Sequence, residues 1–291
     1  MHLPSLVIRP EAFLLAAIFL ALLALEALRP LRSLKRRRAR RWGLNLVLTA
    51  LAAAAGFLVV RPAALGTAAW AEIRGFGLLH LLHLPFWGHF VLGFLLMDLT
   101  FYYWHRLNHT HRLLWRFHNM HHVDPDLDVT TSFRLHFGEV LYSVVFRLAQ
   151  VGLTGVAPVT YLAYELAFNA ATMFQHSNLG LPLALERPLN WLLVTPRMHG
   201  IHHSVVGPET NSNYSVVFSF WDRLNRSLRV NIPQSRVIIG VPGYLLPQDN
   251  RLLPLIKMPF VPQRPYWRWP SGKASLRFEP PAYPQPGRLA Q

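Results

Sequence analysis

Five segments in the first two thirds of the chain are almost entirely apolar. They cover residues 12–25, 42–60, 84–104, 139–151 and 158–174. About 20 consecutive apolar residues suffice for a helix to cross a bilayer, so we expect the first three segments to be membrane helices. The last two are short, and Arg147 and Gln150 interrupt the fourth. Gly152, Gly155 and Pro158 predict a turn between them, so this pair forms either two membrane spans or a hairpin that enters the bilayer without crossing it.

The composition agrees with this pattern. Hydrophobic residues make up 52% of the chain and charged residues only 15%, which is more apolar than an ordinary soluble domain. We therefore predict an all-α fold, an integral membrane helical bundle with about three to five membrane segments. A cytoplasmic helical cap is expected to carry the histidine-rich motifs of the chain.

A basic run, residues 35–41, lies between the first two apolar segments of a chain whose net charge is +15. The positive-inside rule places this run in the cytoplasm and the N-terminus outside. A cleaved signal peptide would carry its basic residues before the apolar segment, where only Arg9 is present. The basic run need not be a nucleic-acid-binding patch, because its role in membrane topology and its attraction to anionic lipid explain basic residues beside a membrane helix.

Histidines form three clusters after the third apolar segment. The spacing is His-x-x-x-His at residues 105–109 and His-x-x-His-His at residues 118–122 and 199–203, and these clusters hold eight of the 15 histidines. Residues three and four apart share a helix face, so each cluster directs its imidazoles towards one point. An even number of crossings between residues 137 and 174 brings all three clusters to the cytoplasmic side. The spacing indicates a metal site.

The type and number of ligands restrict the metal. Imidazole suits zinc, copper, iron and nickel, and a chain without cysteine cannot form thiolate zinc, iron–sulfur or blue-copper sites. Because a tetrahedral zinc ion uses about four ligands, eight or nine histidines suit two ions that share a pocket. Two redox-active iron ions fit best.

The clusters and their flanking residues resemble the sterol desaturase/fatty acid hydroxylase superfamily of membrane di-iron oxygenases. The resemblance covers roughly residues 97–224 and rests on segments 98–106, 114–118, 196–204, 213–214 and 221–224. It implies a cytoplasm-facing di-iron centre that uses O2 and two electrons to hydroxylate or desaturate an unactivated C–H bond of a membrane lipid. A sterol, a fatty acyl chain and related lipids all stay open as substrates.

The resemblance also implies the site residues. Nine histidines are expected to bind the two iron ions: His105, His109, His118, His121, His122, His176, His199, His202 and His203. Four polar residues are candidates to hold those ligands by hydrogen bonds: Asp98, His136, Asn213 and Asp222. His80, His83 and His89 are expected on the opposite side of the membrane, outside the site.

The chain divides into three predicted regions. Residues 1–83 form a membrane anchor region with the basic loop, residues 84–230 the catalytic domain, and residues 231–291 a proline-rich tail. The tail is expected to pack against the body as far as residue 260. Beyond Pro262 we expect extended or disordered structure.

The sequence contains no dinucleotide-binding or haem-attachment motif. An oxygenase of this kind therefore needs electrons from a separate ferredoxin or cytochrome-type protein. The basic cytoplasmic face is suited to dock an acidic donor by electrostatic attraction.

Two other functions stay open on the residues alone. A histidine-lined metal transporter would need polar residues across the bilayer, which the apolar segments lack. A di-zinc membrane hydrolase would usually contain bridging carboxylates, and acidic residues are scarce in the clusters. The metal content separates these classes, because two iron ions support the oxygenase and zinc alone does not.

Overall fold

The computed structural model of the protein describes residues 10–34 and 38–277, and their secondary structure is helical. These residues form α1 Pro10–Leu28, α2 Arg38–Ala55, α3 Arg61–Arg74, α4 Phe86–Thr110, α5 Arg112–His122, α6 Phe137–Thr154, α7 Pro158–His176, α8 Leu183–Leu192, α9 Pro196–His202, α10 Gly207–Thr210, α11 Phe220–Leu224 and α12 Leu252–Lys257. Isolated β-bridges occur, but no extended sheet is present in this part of the chain. The predicted all-α fold is confirmed.

The second apolar segment is the first part of a longer helical stretch. α2 continues through one π-helical turn, Gly56–Val60, into α3, and the amide of Arg61 donates to the carbonyl of Gly56. Pro62 lies in the first turn of α3, where proline is tolerated because its φ angle already suits the helix. The stretch ends at Gly75, whose φ of +59° is left-handed.

Two helical stretches are long and apolar enough to cross a membrane. They are Glu11–Leu28 and a window within Ala39–Leu81, of which only 11% and 22% are buried inside the molecule. Large apolar side chains such as Phe13, Leu58 and Ile73 are exposed on them, which is the surface expected of a membrane protein. No other helix among the described residues meets these criteria, so the number of spans stays a prediction.

α6 and α7 form the predicted hairpin. Gly155 ends α6 with a φ of +70°, and Pro158 opens α7. A Cβ atom on Gly77 would lie 2.5 Å from the backbone of Gly155, so this close approach requires glycine. Gly152, which was predicted for the turn, lies inside α6 instead.

α4 holds the bundle together. It packs against α5, α6 and α7, and its Met97 is fully buried in one apolar core with Ala64 of α3 and Val151 of α6. A second core joins Leu48 of α2 and Met120 of α5 to the chain beyond residue 240. α4 and α5 also pack directly against each other.

The basic run does not lie wholly at the surface. Arg40 is exposed, but Arg41 is buried and forms salt bridges with Asp124 and Asp128. Topology and lipid attraction therefore do not account for Arg41, whose charge is satisfied inside the protein. Residues 35–37 of the run lie outside the described residues.

The N-terminal helices hold the loop that follows α5, residues 123–131. Asn45 of α2 donates to Asp124, and the carboxylate of Glu26 on α1 accepts the amide of Val129. The anchor region predicted for residues 1–83 is thus joined by buried polar contacts to the segment beside the second histidine cluster. The boundaries of the three predicted regions stay a prediction.

Asp124 is the centre of this network. Burial raises its pKa, but the guanidinium groups of Arg41 and Arg134 outweigh burial and hold the pKa below the usual value for an aspartate. Arg134, which is fully buried, also donates to the side-chain carbonyl oxygens of Asn45 and Asn250. The loop is therefore held at Asp124 both by α2 and by Arg134.

The C-terminal tail packs against the body as far as Arg277. Met258 lies in the core beside α5, as expected for residues before 260. Tyr266 and Trp267 also pack there, with ring centroids 5.8 and 5.9 Å from that of Trp115. The described chain after Pro262 is thus irregular but packed, and residues 278–291 lie outside the described residues.

Replacing Arg41 by Met should destabilise the protein, because Asp124 and Asp128 would stay buried without their cation. Removing one partner of a buried ion pair typically costs about 3–5 kcal/mol. The thermal unfolding midpoint in detergent micelles measures the effect. Arg40→Met, at the exposed neighbouring position, is the matched control, and equal midpoints for the two variants would contradict this role of Arg41.

Candidate metal centre

Four helices end at the histidine clusters. The clustered histidines lie at the C-terminal ends of α4, α5 and α9, and His176 is the last residue of α7. Unpaired carbonyl groups give each helix C-terminus a partial negative charge. The convergence of these ends favours positive charge between them.

All nine predicted ligands are buried, and they form two groups. The first group consists of His105, His109, His118, His122 and His202. The second group consists of His121, His176, His199 and His203. Each residue offers one ring nitrogen, and within a group these nitrogens all lie within 4.8 Å of one another. The structure thus brings the predicted residues together, and their binding of metal stays a prediction.

Helical spacing explains how the clusters divide between the groups. His118 and His122 are four residues apart on α5 and face the first group, whereas His121 faces the second. Adjacent residues on a helix point about 100° apart, so a His-x-x-His-His motif cannot aim all its rings at one ion. The expectation of one point per cluster was wrong for the second and third clusters, each of which contributes to both groups.

Hydrogen bonds from Nδ1 orient four of the imidazoles. The acceptors, at 2.6–2.8 Å, are the carbonyls of Tyr214 for His105, Thr172 for His176 and Ser212 for His202, and the carboxylate of Glu139 for His118. A neutral imidazole that donates from Nδ1 carries a lone pair on Nε2. These four rings therefore present Nε2 as a ligand atom.

The Nε2 atoms face one another, and hydrogen bonds cannot satisfy all of them. His176 Nε2 lies 3.0 Å from Nε2 of His121 and 2.9 Å from Nε2 of His199, but its single lone pair can accept a hydrogen bond from only one of them. In the first group, both ring nitrogens of His109 and Nε2 of His202 are buried without a hydrogen-bond partner. Buried acceptors of this kind are costly unless a cation binds them. Both groups therefore fit a metal ion.

Burial keeps the imidazoles neutral. It lowers the pKa of His202 to about 3, although the hydrogen bond to Ser212 acts in the opposite direction. Burial and then the neighbouring histidines lower the pKa values of His199 and His203 well below the usual value. At neutral pH these rings are unprotonated, which is the form that binds metals.

Asp98 and His136 do not hold a ligand ring. Asp98 lies seven residues before His105, about 10 Å along α4, and its carboxylate accepts the indole N–H of Trp221 instead. Nδ1 of His136 accepts the amide of Gly138 and so caps the start of α6. Both residues position loops and helices around the site.

Asn213 and Asp222 act on the ligands through the backbone. Asn213 has a left-handed φ of +53°, which asparagine tolerates better than most residues, and it stands between the two carbonyls that orient His105 and His202. Asp222 accepts the amide of Tyr214 at 2.9 Å. Neither residue forms the predicted direct hydrogen bond to a histidine. Both instead fix residues 212–214, whose carbonyls orient His105 and His202.

The carboxylate that does contact a ligand is Glu139, which sequence reasoning missed. It lies in the first turn of α6, and its Oε1 accepts Nδ1–H of His118 at 2.8 Å. The available signal was an acidic residue at the start of an apolar helix, where a buried carboxylate needs a partner. His80, His83 and His89 lie near the opposite end of α4 and belong to neither group.

An apolar cavity of about 520 Å³ adjoins the site. Side chains of α1, α2, α4, α6 and α7 line it, including those of Phe101 and Phe168. Three other wall residues lie close to predicted ligands. Trp104 precedes His105, Met173 lies one helical turn before His176, and Glu139 contacts His118. The cavity offers room for a hydrocarbon chain beside the histidine groups.

Known proteins resemble the part of the chain that carries the histidines. The fatty acid hydroxylase family model matches residues 90–227. An ornithine lipid hydroxylase of Rhizobium tropici is 31% identical over 153 residues, which are 53% of this chain and 45% of the relative. An alkylglycerol monooxygenase of Xenopus tropicalis is 31% identical over 134 residues, 46% of this chain and 29% of the relative.

A third relative is a cholesterol 25-hydroxylase of Homo sapiens, 29% identical over 155 residues, 52% of this chain and 53% of the relative. The chain thus spans about half the length of these relatives, or less. No solved structure matches the chain.

Replacing Glu139 by Leu should weaken metal binding, because His118 loses the acceptor that fixes its ring. Loss of such a partner typically costs about 10–100-fold in metal affinity. Metal retained against a competing chelator measures the effect. Glu139→Gln keeps a carbonyl acceptor and should retain most of the affinity, so it separates the lost hydrogen bond from the lost charge. Unchanged retention in Glu139→Leu would refute the assignment.

Proposed function

We propose that this chain, whose residues 90–227 match the fatty acid hydroxylase family model, is an O2-dependent di-iron enzyme that hydroxylates or desaturates an unactivated C–H bond of a membrane lipid. The pair of buried all-histidine groups is the observation that carries the proposal. The names of its three relatives describe oxidation of an ornithine lipid, an alkylglycerol and cholesterol. All three are lipids, and the choice among such substrates stays open.

Each histidine group would hold one iron ion. When bound, an iron pair supplies the activation of O2 that allows attack on a C–H bond. The chain's own residues orient the rings from Nδ1, keep them neutral and surround them with helix C-termini. Among the described residues, neither group contains a carboxylate, whereas di-zinc hydrolases usually have a bridging one.

We place the lipid chain in the apolar cavity beside the site. Its walls exclude water from the reacting carbon. Polar groups gather towards one end, where Arg61 and Glu165 form a salt bridge of 2.9 Å and Arg147 lies close to them. Arg147 is eight residues, about 12 Å, along α6 from Glu139. A lipid with its polar head near Arg147 would extend its hydrocarbon towards the histidines.

The remaining parts of the proposal concern orientation and electrons. We place the histidine site on the cytoplasmic side, which the exposed Arg40 and the net charge of +15 support through the positive-inside rule. Two electrons per turnover would come from a separate ferredoxin or cytochrome-type protein, because the sequence has no motif for an internal carrier.

Lipid profiling of cells that express the unaltered chain, His202→Ala or His83→Ala tests the proposal. We expect a lipid that gains one oxygen atom or loses two hydrogen atoms with the unaltered chain and with His83→Ala, but not with His202→Ala. The purified chain should contain two iron ions, one for each group, and His202→Ala should retain less iron. Zinc alone in an active preparation, or lipids that do not change, would refute the proposal.

A bulky side chain in the apolar cavity should block lipid oxidation without removing the metal. Ser143 is half-buried in the cavity wall, and Ser143→Phe would fill the space beside it. We expect a large fall in turnover with an unchanged iron content, whereas Ser143→Ala, which leaves the cavity open, should stay active. Turnover of Ser143→Phe equal to that of Ser143→Ala would show that the substrate lies elsewhere.

A further inference from the structure

A second cavity, of about 720 Å³, reaches the metal centre directly. His109 forms part of its wall, and both ring nitrogens of this predicted ligand are buried without a hydrogen-bond partner. Most of the remaining wall comes from the start of α5 and from the C-terminal tail, together with Thr110, His111 and Asn211. By contrast, none of the nine predicted ligands lines the apolar cavity.

Two tryptophans connect this cavity to the first histidine group. The buried ring of Trp115 has its centroid 4.9 Å from that of His109 and 5.3 Å from that of His122. The half-buried ring of Trp267 has its centroid 5.9 Å from that of Trp115, at an interplanar angle of 35°. An unbroken series of aromatic contacts thus runs from the cavity surface to two predicted metal ligands.

The position of Trp267 is fixed by its surroundings. A Cβ atom on Gly207 would lie 3.2 Å from the Trp267 ring, so the ring packs against this backbone. The carbonyl of Trp267 accepts the amide of Ser275, and the carbonyl of Tyr266 accepts the amide of Gly243. The tail therefore holds the outer tryptophan in place over the inner one.

The cavity wall is basic. Arg112, which is exposed, and Arg116 both line it, and among the described residues no Asp or Glu does. Arg116 donates to the carbonyl of Val261, which is a neutral acceptor. A wall of this kind does not suit a hydrocarbon chain, but it attracts an acidic surface.

We infer that this cavity is the docking site of an acidic one-electron carrier protein, and that Trp267 and Trp115 provide the path for electrons to the metal pair. The inference rests on the proposed function. Each transfer oxidises one carrier by one electron and reduces one metal ion by one electron. For hydroxylation, two such electrons and two protons from solvent convert the second oxygen atom of O2 to water, while the first enters the lipid.

Anaerobic reduction of the iron-loaded full chain in detergent micelles tests the inference. The probes are a reduced acidic ferredoxin, as carrier, and dithionite, which is small and needs no docking surface. The variants are Arg112→Glu, Trp267→Leu and Trp267→Phe, with Arg187→Glu and Trp191→Leu as matched controls on the exposed surface of α8. Arg112→Glu puts an acid in the first turn of α5, which helix electrostatics favour, so the fold should persist.

At low ionic strength, Arg112→Glu should slow association with ferredoxin by about tenfold, and the difference should shrink as salt is added. Trp267→Leu should lower the limiting rate of reduction at saturating ferredoxin severalfold, and Trp267→Phe, which keeps a ring, should restore most of it. The matched controls and all reductions by dithionite should proceed at the rate of the unaltered chain.

Three results would overturn the inference. If dithionite reduces every variant and ferredoxin does so at an unaltered rate, the carrier docks elsewhere, while the proposed function stands. If only reoxidation by O2 is slowed, the cavity is a path for gas or solvent. If neither reductant changes the optical spectrum of the unaltered iron-loaded chain, the proposed function and this inference fail together.

Discussion

Nine buried imidazoles lie close together in two groups, and the proposed metal ions would take up their lone pairs. The surrounding structure suits such ions in several ways. Helix C-termini supply partial negative charge. Backbone carbonyls and Glu139 hold Nδ1 protons, which leaves Nε2 atoms free. Burial lowers the pKa of the rings, so that protons do not compete with metal. Two of these carbonyls come from one short segment, residues 212–214.

The two N-terminal helices have a part in this arrangement as well as in the membrane. Arg41 and Asn45 hold Asp124, two residues after the last histidine of α5, and Glu26 binds the next turn of the loop at Val129. A displacement of these helices would therefore be transmitted to the end of α5. Buried polar contacts thus couple the two N-terminal helices, which expose apolar surface, to the helices that carry the predicted ligands.

Local patterns were sufficient to predict several of the helices and most of the histidines that the structure groups together. Apolar segments predicted α1, α4, α6 and α7, and histidine spacing singled out eight of the nine grouped histidines. What depends on tertiary contacts could not be predicted. Helical spacing requires His121 and His122 to point apart, but which group each of them joins depends on tertiary contacts. Arg41 likewise meets Asp124 across 83 positions of the chain. Glu139 carried no motif of its own, and its role became visible only when its distance to His118 was known.

The two ligand groups are interlocked along the chain. The first takes four histidines from residues 105–122 and one from α9, and the second takes His121 from α5 and the rest from α7 onwards. Neither group can be completed by the N-terminal or the C-terminal half of the site alone, because each closes a loop between α5 and α9. A metal ion bound in one group therefore already closes the loop between α5 and α9, so binding in the other group costs less chain entropy. Metal uptake is consequently expected to be cooperative, with the empty and the doubly filled protein favoured over the form that holds a single ion.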